Sequence, residues 1–500
     1  MVRSFRALFP LLCCTFLAAS LAMLVHSLPE NRQIDAQLFT FALEFLRSLH
    51  EGSLGEFFLT VRKYPLLPSF ILAVLQATLI GFFFLTGRLE SMLDLQNYLL
   101  SGPAALYFMS RLFILVVALL TLFLVYRISR RLFPHIPGGM AVILAISGTL
   151  FLLFDTAIRP HMLIAGATTL TYFLSLRLIE DKSRTAVILA FGAATLSFLT
   201  LQNGLLAFVF PLGAFLFEKD ALQWRRLFSP SLWILFAGIF LVSLLIGYPF
   251  LLRPLFGLPA DSGWGLGNTD LNSVAWNGIG FMELFHTALG EPFLALFACI
   301  GVFRILRKKE DCSFAVRMLL LYFVLFILLF GLHGKSSMRV FLPLIPLAAI
   351  LGARAFAASR QWILVVCVFA LLIHMKFFFL AVRPDTYDQA RAFLRNNADA
   401  SIVLDIPLPF LGLTQEETAR VLPFDRLPEA DIVVARSGHA PYLDMQIWQL
   451  CARTVTYEAP SEMFLWSEVY SPIPWLLRAE RLGPPFSLYC RDASRKSGDV

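Results

Sequence analysis

The sequence is poor in charged residues. Only 15% of its 500 residues are Asp, Glu, Lys or Arg, whereas a soluble protein has about a quarter. Hydrophobic residues make up 58%, and 50 residues are Phe. Apolar runs near the length that crosses a bilayer as a helix, about 20 residues, recur along the chain. An ordinary soluble fold is therefore excluded, and we predict an α-helical polytopic membrane protein with about 11–13 transmembrane helices.

Cysteine is scarce and shows no metal-binding pattern. The seven cysteines include no C-x-x-C pair and no zinc spacing. Cys451 and Cys490 lie in a polar tail, where they either form a disulfide in an oxidising compartment or remain free thiols. P-loop, G-x-S-x-G and H-E-x-x-H motifs are also absent. ATP-driven transport therefore has no support.

The net charge of +7 does not indicate a nucleic-acid partner, because Lys and Arg cluster in short loops between apolar runs. Such loops face the cytoplasm, with membrane lipids as the partner. If the basic loops at 126–133, 218–226 and 304–311 are cytoplasmic, three short segments that connect apolar runs must lie on the external side of the membrane; we call these segments links. These external links are 155–161, the hairpin tip Gln202–Asn203, and 333–339.

The two ends of the chain fit the same topology. Arg3 and Arg6 precede the first apolar run, so we expect an uncleaved first span with a cytoplasmic N-terminus rather than a signal peptide. The first span leaves the following residues outside, and the apolar run that starts at residue 110 must also begin outside. The number of crossings between them must therefore be even, so either 65–86 lies in the interface or is re-entrant, or 89–108 makes an extra crossing. We expect the first alternative, because 89–108 contains several polar residues and Pro103.

The tail differs in composition from the rest of the chain. We predict a transmembrane domain at 1–381 and a small extracytoplasmic α/β domain at 382–500. Strand-like runs are SIVLDI, DIVVAR and FSLYC, and helix-like runs are TYDQARAFLRNN and TQEETARVL. Parity places this tail in the periplasm if the protein lies in a bacterial inner membrane, which we expect; an endoplasmic reticulum protein would have the same topology.

The first external loop, 29–64, carries a candidate acid. Asp35 begins a stretch whose apolar residues recur at helical spacing from Leu38 to Leu49. This spacing predicts an amphipathic helix on the membrane surface. Asp35 is either a functional carboxylate or a helix cap, for which Asp is well suited.

External cations form a second group of candidates: Arg111, Arg159, Lys335 and Arg339. Arg presents a planar fork that matches phosphate oxygens, so this group suits a lipid-linked phosphate. Scattered contacts with phospholipid headgroups are the alternative. Asp155 can pair with Arg159, although an ordinary surface turn explains both residues equally well.

Histidines supply the remaining candidates: His161, His286 and His333. The long external loop 251–291 contains Asp261, Asp270, Glu283, His286 and Glu291. A metal held by His286 and a carboxylate is one interpretation, and a polar loop without a metal is the other.

The order of several short motifs resembles the GT-C superfamily of membrane glycosyltransferases. The motifs are an acid soon after the first span, KYPLLP, RLF…YRISRRLF, IRPHML and MRVFLPLIP. Within the superfamily, the pattern is similar to protein O-mannosyltransferases and the lipid A aminoarabinose transferases. The resemblance covers residues 1 to about 380, and the tail resembles the external domain of many bacterial members.

The resemblance implies a sugar donor on a polyprenyl phosphate and a lipid, glycan or protein acceptor outside the cytoplasm. It implies Asp35 as catalytic base and inversion of the sugar. Many members have two adjacent acids there, whereas this chain has Ile34–Asp35–Ala36, so Glu30 or Asp155 is a candidate second acid. Many also have R-P-D where this chain has Arg159–Pro160–His161. No cofactor is required, and a divalent metal is compatible with the pattern.

Two other functions are compatible with the same sequence. A transporter or flippase of lipid-linked saccharides would be expected to show internal repeats and broken helices lined with polar groups, and the sequence has no repeat. A non-catalytic scaffold would not gather Asp35 and the external cations around one cavity.

Overall fold

The fold is that of a computed structural model of the 500-residue chain. The described residues are 2–25, 33–55, 57, 66–101, 103–216, 230–248, 278–307, 313–333, 338–357, 360–383, 386–404, 419–436, 448–454 and 486–491. Two predicted site residues, Glu30 and Lys335, lie outside these ranges, as does the loop 251–277.

The chain divides into two compact units. The first consists of Met1–Leu17, Gln37–Ala77 and Ser110–Ile373. The second consists of Ala18–Ala36, Thr78–Met109 and His374–Val500. Over the described residues, the first unit contains helices but no strands, and the second contains both helices and a sheet.

The apolar runs form helices, since a helix satisfies every backbone hydrogen bond within hydrocarbon. In chain order the helices are α1 (Val2–Val25), α2 (Gln33–Glu51), α3 (Leu66–Leu85), α4 (Met92–Ser101), α5 (Ala104–Leu132), α6 (Gly139–Ile146), α7 (Leu150–Phe154), α8 (Pro160–Asp181), α9 (Arg184–Thr200), α10 (Val209–Leu216), α11 (Pro230–Gly247), α12 (Ile279–Gly290), α13 (Pro292–Arg307), α14 (Phe314–Leu332), α15 (Leu344–Phe356), α16 (Arg360–Val382) and α17 (Thr386–Asn396). Short 3₁₀ helices occupy Gln202–Phe208, Met338–Phe341 and Phe424–Glu429.

Six of the described helices, α1, α3, α5, α8, α14 and α16, are long and apolar enough to cross a membrane, and the bent pair α12–α13 adds a seventh if it counts as one span. This confirms the predicted integral membrane protein of helical class. The other apolar runs form shorter helices, such as α9 and α15 with 17 and 13 residues. The total number of crossings stays a prediction.

Two predicted spans are broken. The run 137–154 is divided into α6 and α7 at Ser147–Thr149. Helices α12 and α13 meet at an angle of 106°. Pro292 explains the second break, because proline disfavours helical geometry in the preceding residue, and Glu291 has φ −124° and ψ 53°.

Residues 89–108 do not form one membrane-crossing helix, so the alternative prediction of an extra crossing there is wrong in that form. Only α4, with ten residues, forms there, and a new helix begins at Ala104. A capping box starts α4: the Ser91 N–H donates to Asp94 Oδ2 at 2.9 Å, and the Asp94 N–H donates to Ser91 Oγ at 3.1 Å. The hydrogen bond from the Ser91 side chain, followed by that from the Glu90 backbone, lowers the pKa of Asp94.

The predicted amphipathic helix is confirmed as α2. Its residues Leu38, Phe39 and Ala42 are buried, as the helical spacing requires. Phe45 packs edge-on against Phe57 and Phe70, with ring centroids 5.5 and 5.8 Å apart. The helix begins at Gln33, so Asp35 lies in its first turn.

The tail contains a mixed five-stranded sheet. Its strands are β1 (Ile402–Leu404), β2 (Val421–Leu422), β3 (Ile432–Arg436), β4 (Trp448–Thr454) and β5 (Phe486–Arg491), in the order β2-β1-β3-β5-β4. Strand β1 runs parallel to β2 and β3, whereas β5 runs antiparallel to β3 and β4. One side of the sheet packs on α17 through Ala390 and Leu394.

Most of the predicted helices and strands of the tail are confirmed, whereas its domain bounds and its location stay predictions. The three predicted strands correspond to β1, β3 and β5, and TYDQARAFLRNN forms α17. The helix predicted over TQEETARVL is wrong at its end, because Val421–Leu422 pairs with β1 as a strand; residues 414–418 lie outside the described chain. Cys490 is disulfide-bonded, and β4, which contains Cys451, lies beside it in the sheet.

Candidate active site

The link between α7 and α8 buries three predicted site residues. Asp155 follows α7, Arg159 has an extended backbone (φ −132°, ψ 154°), and Pro160 starts α8. Proline favours this start, because its fixed φ suits a first helical turn that needs no N–H bond. Asp155 is 0% exposed, Arg159 9% and His161 3%. Such burial argues against an ordinary solvated turn.

His161 lies where charges from two links meet. Its ring packs against Phe154 with 5.6 Å between ring centroids. Its Nδ1 atom is buried and has no hydrogen-bond partner among the described residues. The guanidinium charges of both Arg159 and Arg339 act on the imidazole. Arg339 and Arg159 are far apart in the sequence, yet both lie within electrostatic range of His161.

A third link reaches the same place through Asn203. This residue lies in the 3₁₀ helix Gln202–Phe208, which continues into α10. Its Nδ2 atom donates to the carbonyl oxygen of Val340 at 3.4 Å, and Val340 is the neighbour of Arg339 in Met338–Phe341. Sequence analysis recognised Gln202–Asn203 only as a hairpin tip, although a polar pair between two apolar runs was a usable signal.

Helix α12 supports the start of the 333–341 link. The N–H groups of Gly278 and Gly280 donate to the carbonyl oxygens of Leu332 and His333 at 3.1 and 3.0 Å. A Cβ at residue 280 would collide with the Phe330 carbonyl group, so the close approach requires glycine. His333, a predicted candidate, is buried at this junction.

Glu291 is a buried acid that sequence analysis assigned only to the long loop. It lies at the break between α12 and α13 and is 3% exposed. Its Oε1 accepts a hydrogen bond from the Leu150 N–H at 2.6 Å. A lone acid before a proline, between two apolar runs, was the signal that marked it.

The other candidates occupy separate positions. Arg111 is buried about two turns inside α5 rather than at the start of a helix. His286 is half-buried in α12. Within the described part of the chain, no three His, Cys, Asp or Glu side chains form a group that could hold a metal ion, and the metal site proposed around His286 is not seen there.

Sequence comparisons find no relatives: no family model matches the chain, and no curated protein matches it. Solved structures do match. The crystal structure of ArnT from Cupriavidus metallidurans bound to undecaprenyl phosphate is 13% identical, with a TM-score of 0.52, over 100% of both chains. The apo structure of the same protein gives 13% and 0.53, also over 100% of both chains. This chain has the fold of these ArnT structures.

The likeness extends beyond the helices. Because it covers both chains completely, it includes the C-terminal region that holds the sheet. An oligosaccharyltransferase from Archaeoglobus fulgidus, in the apo form, matches over 85% of this chain and 69% of its own, at 11% identity and a TM-score of 0.43. That score is too low to carry an argument, and the ArnT structures alone establish the fold.

Proposed function

We propose that this protein is a membrane glycosyltransferase that moves a sugar from a polyprenyl phosphate to a lipid, glycan or protein acceptor outside the cytoplasm. The observation that carries the proposal is that the charges of Arg339 and Arg159, which come from two different links, both act on the buried His161. The ArnT of the same fold was crystallised with undecaprenyl phosphate, a ligand whose phosphate suits such a pair of arginines.

The charge balance of the links favours an anionic ligand. Among the described residues of the 155–161 and 333–341 links, Arg159 and Arg339 carry two positive charges, and Asp155 supplies one carboxylate. Holding like charges together in a poorly hydrated site is costly unless an anion lies between them. A phosphate satisfies this need, because guanidinium groups bind its oxygens through two parallel hydrogen bonds.

The proposed reaction is a single displacement. The acceptor oxygen or nitrogen attacks the anomeric carbon, and the bond from that carbon to the phosphate oxygen breaks. Asp35 takes the proton from the acceptor, and the electron pair leaves with the polyprenyl phosphate. Arg159 and Arg339 stabilise the charge that develops on the departing phosphate. One displacement inverts the anomeric centre, and no nucleotide takes part.

Binding of undecaprenyl phosphate to the purified protein in detergent, measured by native mass spectrometry, tests the proposal without knowledge of the sugar. We expect Arg159→Ala and Arg339→Ala each to weaken binding about 10- to 100-fold, since a charge-assisted hydrogen bond contributes about 1.5–3 kcal/mol. Arg184→Ala is the matched control, because Arg184 is an exposed arginine at the start of α9, directly after its Ser183 cap and at the end of α8 opposite to Arg159.

Three outcomes distinguish the alternatives. Equal binding by wild type and both arginine variants would contradict the phosphate site. Binding with sugar transfer in proteoliposomes would support the enzyme. Movement of labelled lipid across liposomes without any transfer would favour the flippase, whose expected broken helices have a counterpart in the α12–α13 bend.

A further inference from the structure

We propose that Glu291 is a positioning residue that holds the Asp155–His161 link in place for phosphate binding. This inference rests on the proposed function for its role in binding. Glu291 lies outside both arginine-bearing links, yet its buried carboxylate accepts a hydrogen bond from the Leu150 N–H, five residues before the first of them.

Glu291 contacts the chain at the break before α7. The Leu150 N–H lies 2.6 Å from Oε1. Gly148 leaves the space that the other oxygen occupies, because a Cβ at residue 148 would overlap Oε2. Oε2 has no hydrogen-bond partner among the described residues. An acid and a glycine therefore fit each other across a large sequence separation.

This contact lies close to Arg159 along the chain. Helix α7 contains only five residues, Leu150–Phe154, and Asp155 follows it directly. All five residues and the following link are buried. In such a short and enclosed segment, a shift at Leu150 cannot be absorbed by a mobile loop and is passed on to Arg159 and His161.

Helix α12 also makes contacts at its other end. The same bent helix pair that carries Glu291 donates from Gly278 and Gly280 to Leu332 and His333, where the Arg339 link begins. The bent helix pair thus contacts the chain at Leu150, before Arg159, and at Leu332 and His333, before Arg339. Removing the Glu291 carboxylate would break the contact before Arg159 and leave the contacts before Arg339 in place. We therefore expect the effect of this change on phosphate binding to depend on Arg159.

A double-mutant cycle tests this route, with undecaprenyl phosphate as the probe. We expect Glu291→Ala to weaken binding about tenfold in the wild type and less than about twofold when Arg159 is already Ala. Glu291→Gln keeps one acceptor oxygen for the Leu150 N–H, so we expect it to retain most of the affinity. Glu180→Ala is the matched control, since Glu180 is an exposed acid near the far end of α8, paired with Arg131.

A general loss of folding would behave differently. It would lower binding by the same factor with and without Arg159, and Glu291→Gln would give no rescue. Either result, or full affinity in Glu291→Ala, would overturn the inference.

Hydrogen exchange separates failure of the inference from failure of the proposed function. We expect Glu291→Ala and Gly148→Ala both to raise amide exchange at 149–161, and Glu180→Ala to leave it unchanged. This holds whether or not the protein binds the lipid. Unchanged exchange at 149–161 in both variants overturns the positioning role, whereas absent lipid binding with raised exchange overturns only the proposed function.

Discussion

At the scale of single residues, the site is notable for its buried polar groups. Ionisable side chains at membrane depth are costly and by default indicate function. Asp155, Arg159, His161 and Glu291 are all at most 9% exposed. In a chain with so few charges, their concentration around two links is a stronger functional signal than any one of them alone.

Asp35 carries the residue-scale prediction. We expect Asp35→Asn to abolish sugar transfer, because an amide cannot accept the acceptor proton, and to leave undecaprenyl phosphate binding within about twofold of wild type. The measurement is transfer of labelled sugar in proteoliposomes together with lipid binding in detergent.

Asp35→Glu serves as the matched variant, since it keeps a carboxylate and should retain some transfer. Normal transfer by Asp35→Asn would remove Asp35 from the role of base.

At the scale of elements, glycines set the close packing of α13 and α15. A Cβ at Gly301 would collide with the Leu351 carbonyl, and one at Gly352 would lie 3.1 Å from the Ala298 nitrogen. The two backbones therefore touch. Helix α13 begins directly after Glu291, and α15 follows the Arg339 link, so this crossing supports two parts of the site.

We expect Gly301→Ala to destabilise the protein by about 1–3 kcal/mol, because the added methyl group must push two backbones apart. Gly238→Ala in α11 is the matched control, since nothing lies within 4 Å of its Cβ position. That substitution should be neutral or stabilising, as Ala favours helix over Gly. Thermal unfolding in detergent measures both. A lower Tm for Gly238→Ala than for Gly301→Ala would contradict the packing argument.

At the scale of the whole molecule, sidedness is the main expectation from the sequence. The links that the basic loops assign to one side, 155–161, 202–203 and 333–339, are the ones that the structure brings together through Arg159, Asn203 and Arg339. This agreement supports the relative assignment, because links on opposite sides of a membrane could not meet.

Reporter fusions test which side this is. We expect alkaline phosphatase to be active after residues 88, 336 and 500, and a cytoplasmic fluorescent reporter to be bright after residues 183 and 310. The reason is the positive-inside bias of the basic loops. Activity at 88 would mean that α3 does not complete a crossing, whereas phosphatase activity at both 183 and 336 would contradict the topology.

Much of the fold was predictable because it depends on local pattern. Apolar runs, the helical spacing of α2 and the alternating strands β1 and β3 are properties of neighbouring residues. The boundaries of broken helices were less accessible. Pro292 marks the break between α12 and α13, and Gly148 lies at the break between α6 and α7. Neither residue predicts that the buried carboxylate of Glu291 accepts a hydrogen bond from the Leu150 N–H.

The sequence by itself determined that this is a helical membrane protein with a small mixed tail, and it singled out Arg159, His161 and Arg339. Composition and charge position suffice for this, because the bilayer restricts what each segment can do. Only the tertiary structure decided that Arg159 and Arg339 both lie within electrostatic range of His161, that Asn203 contacts the Arg339 link, and that Glu291 fits against Gly148. Such contacts join residues far apart in the chain, and their partners are fixed by packing rather than by any local pattern.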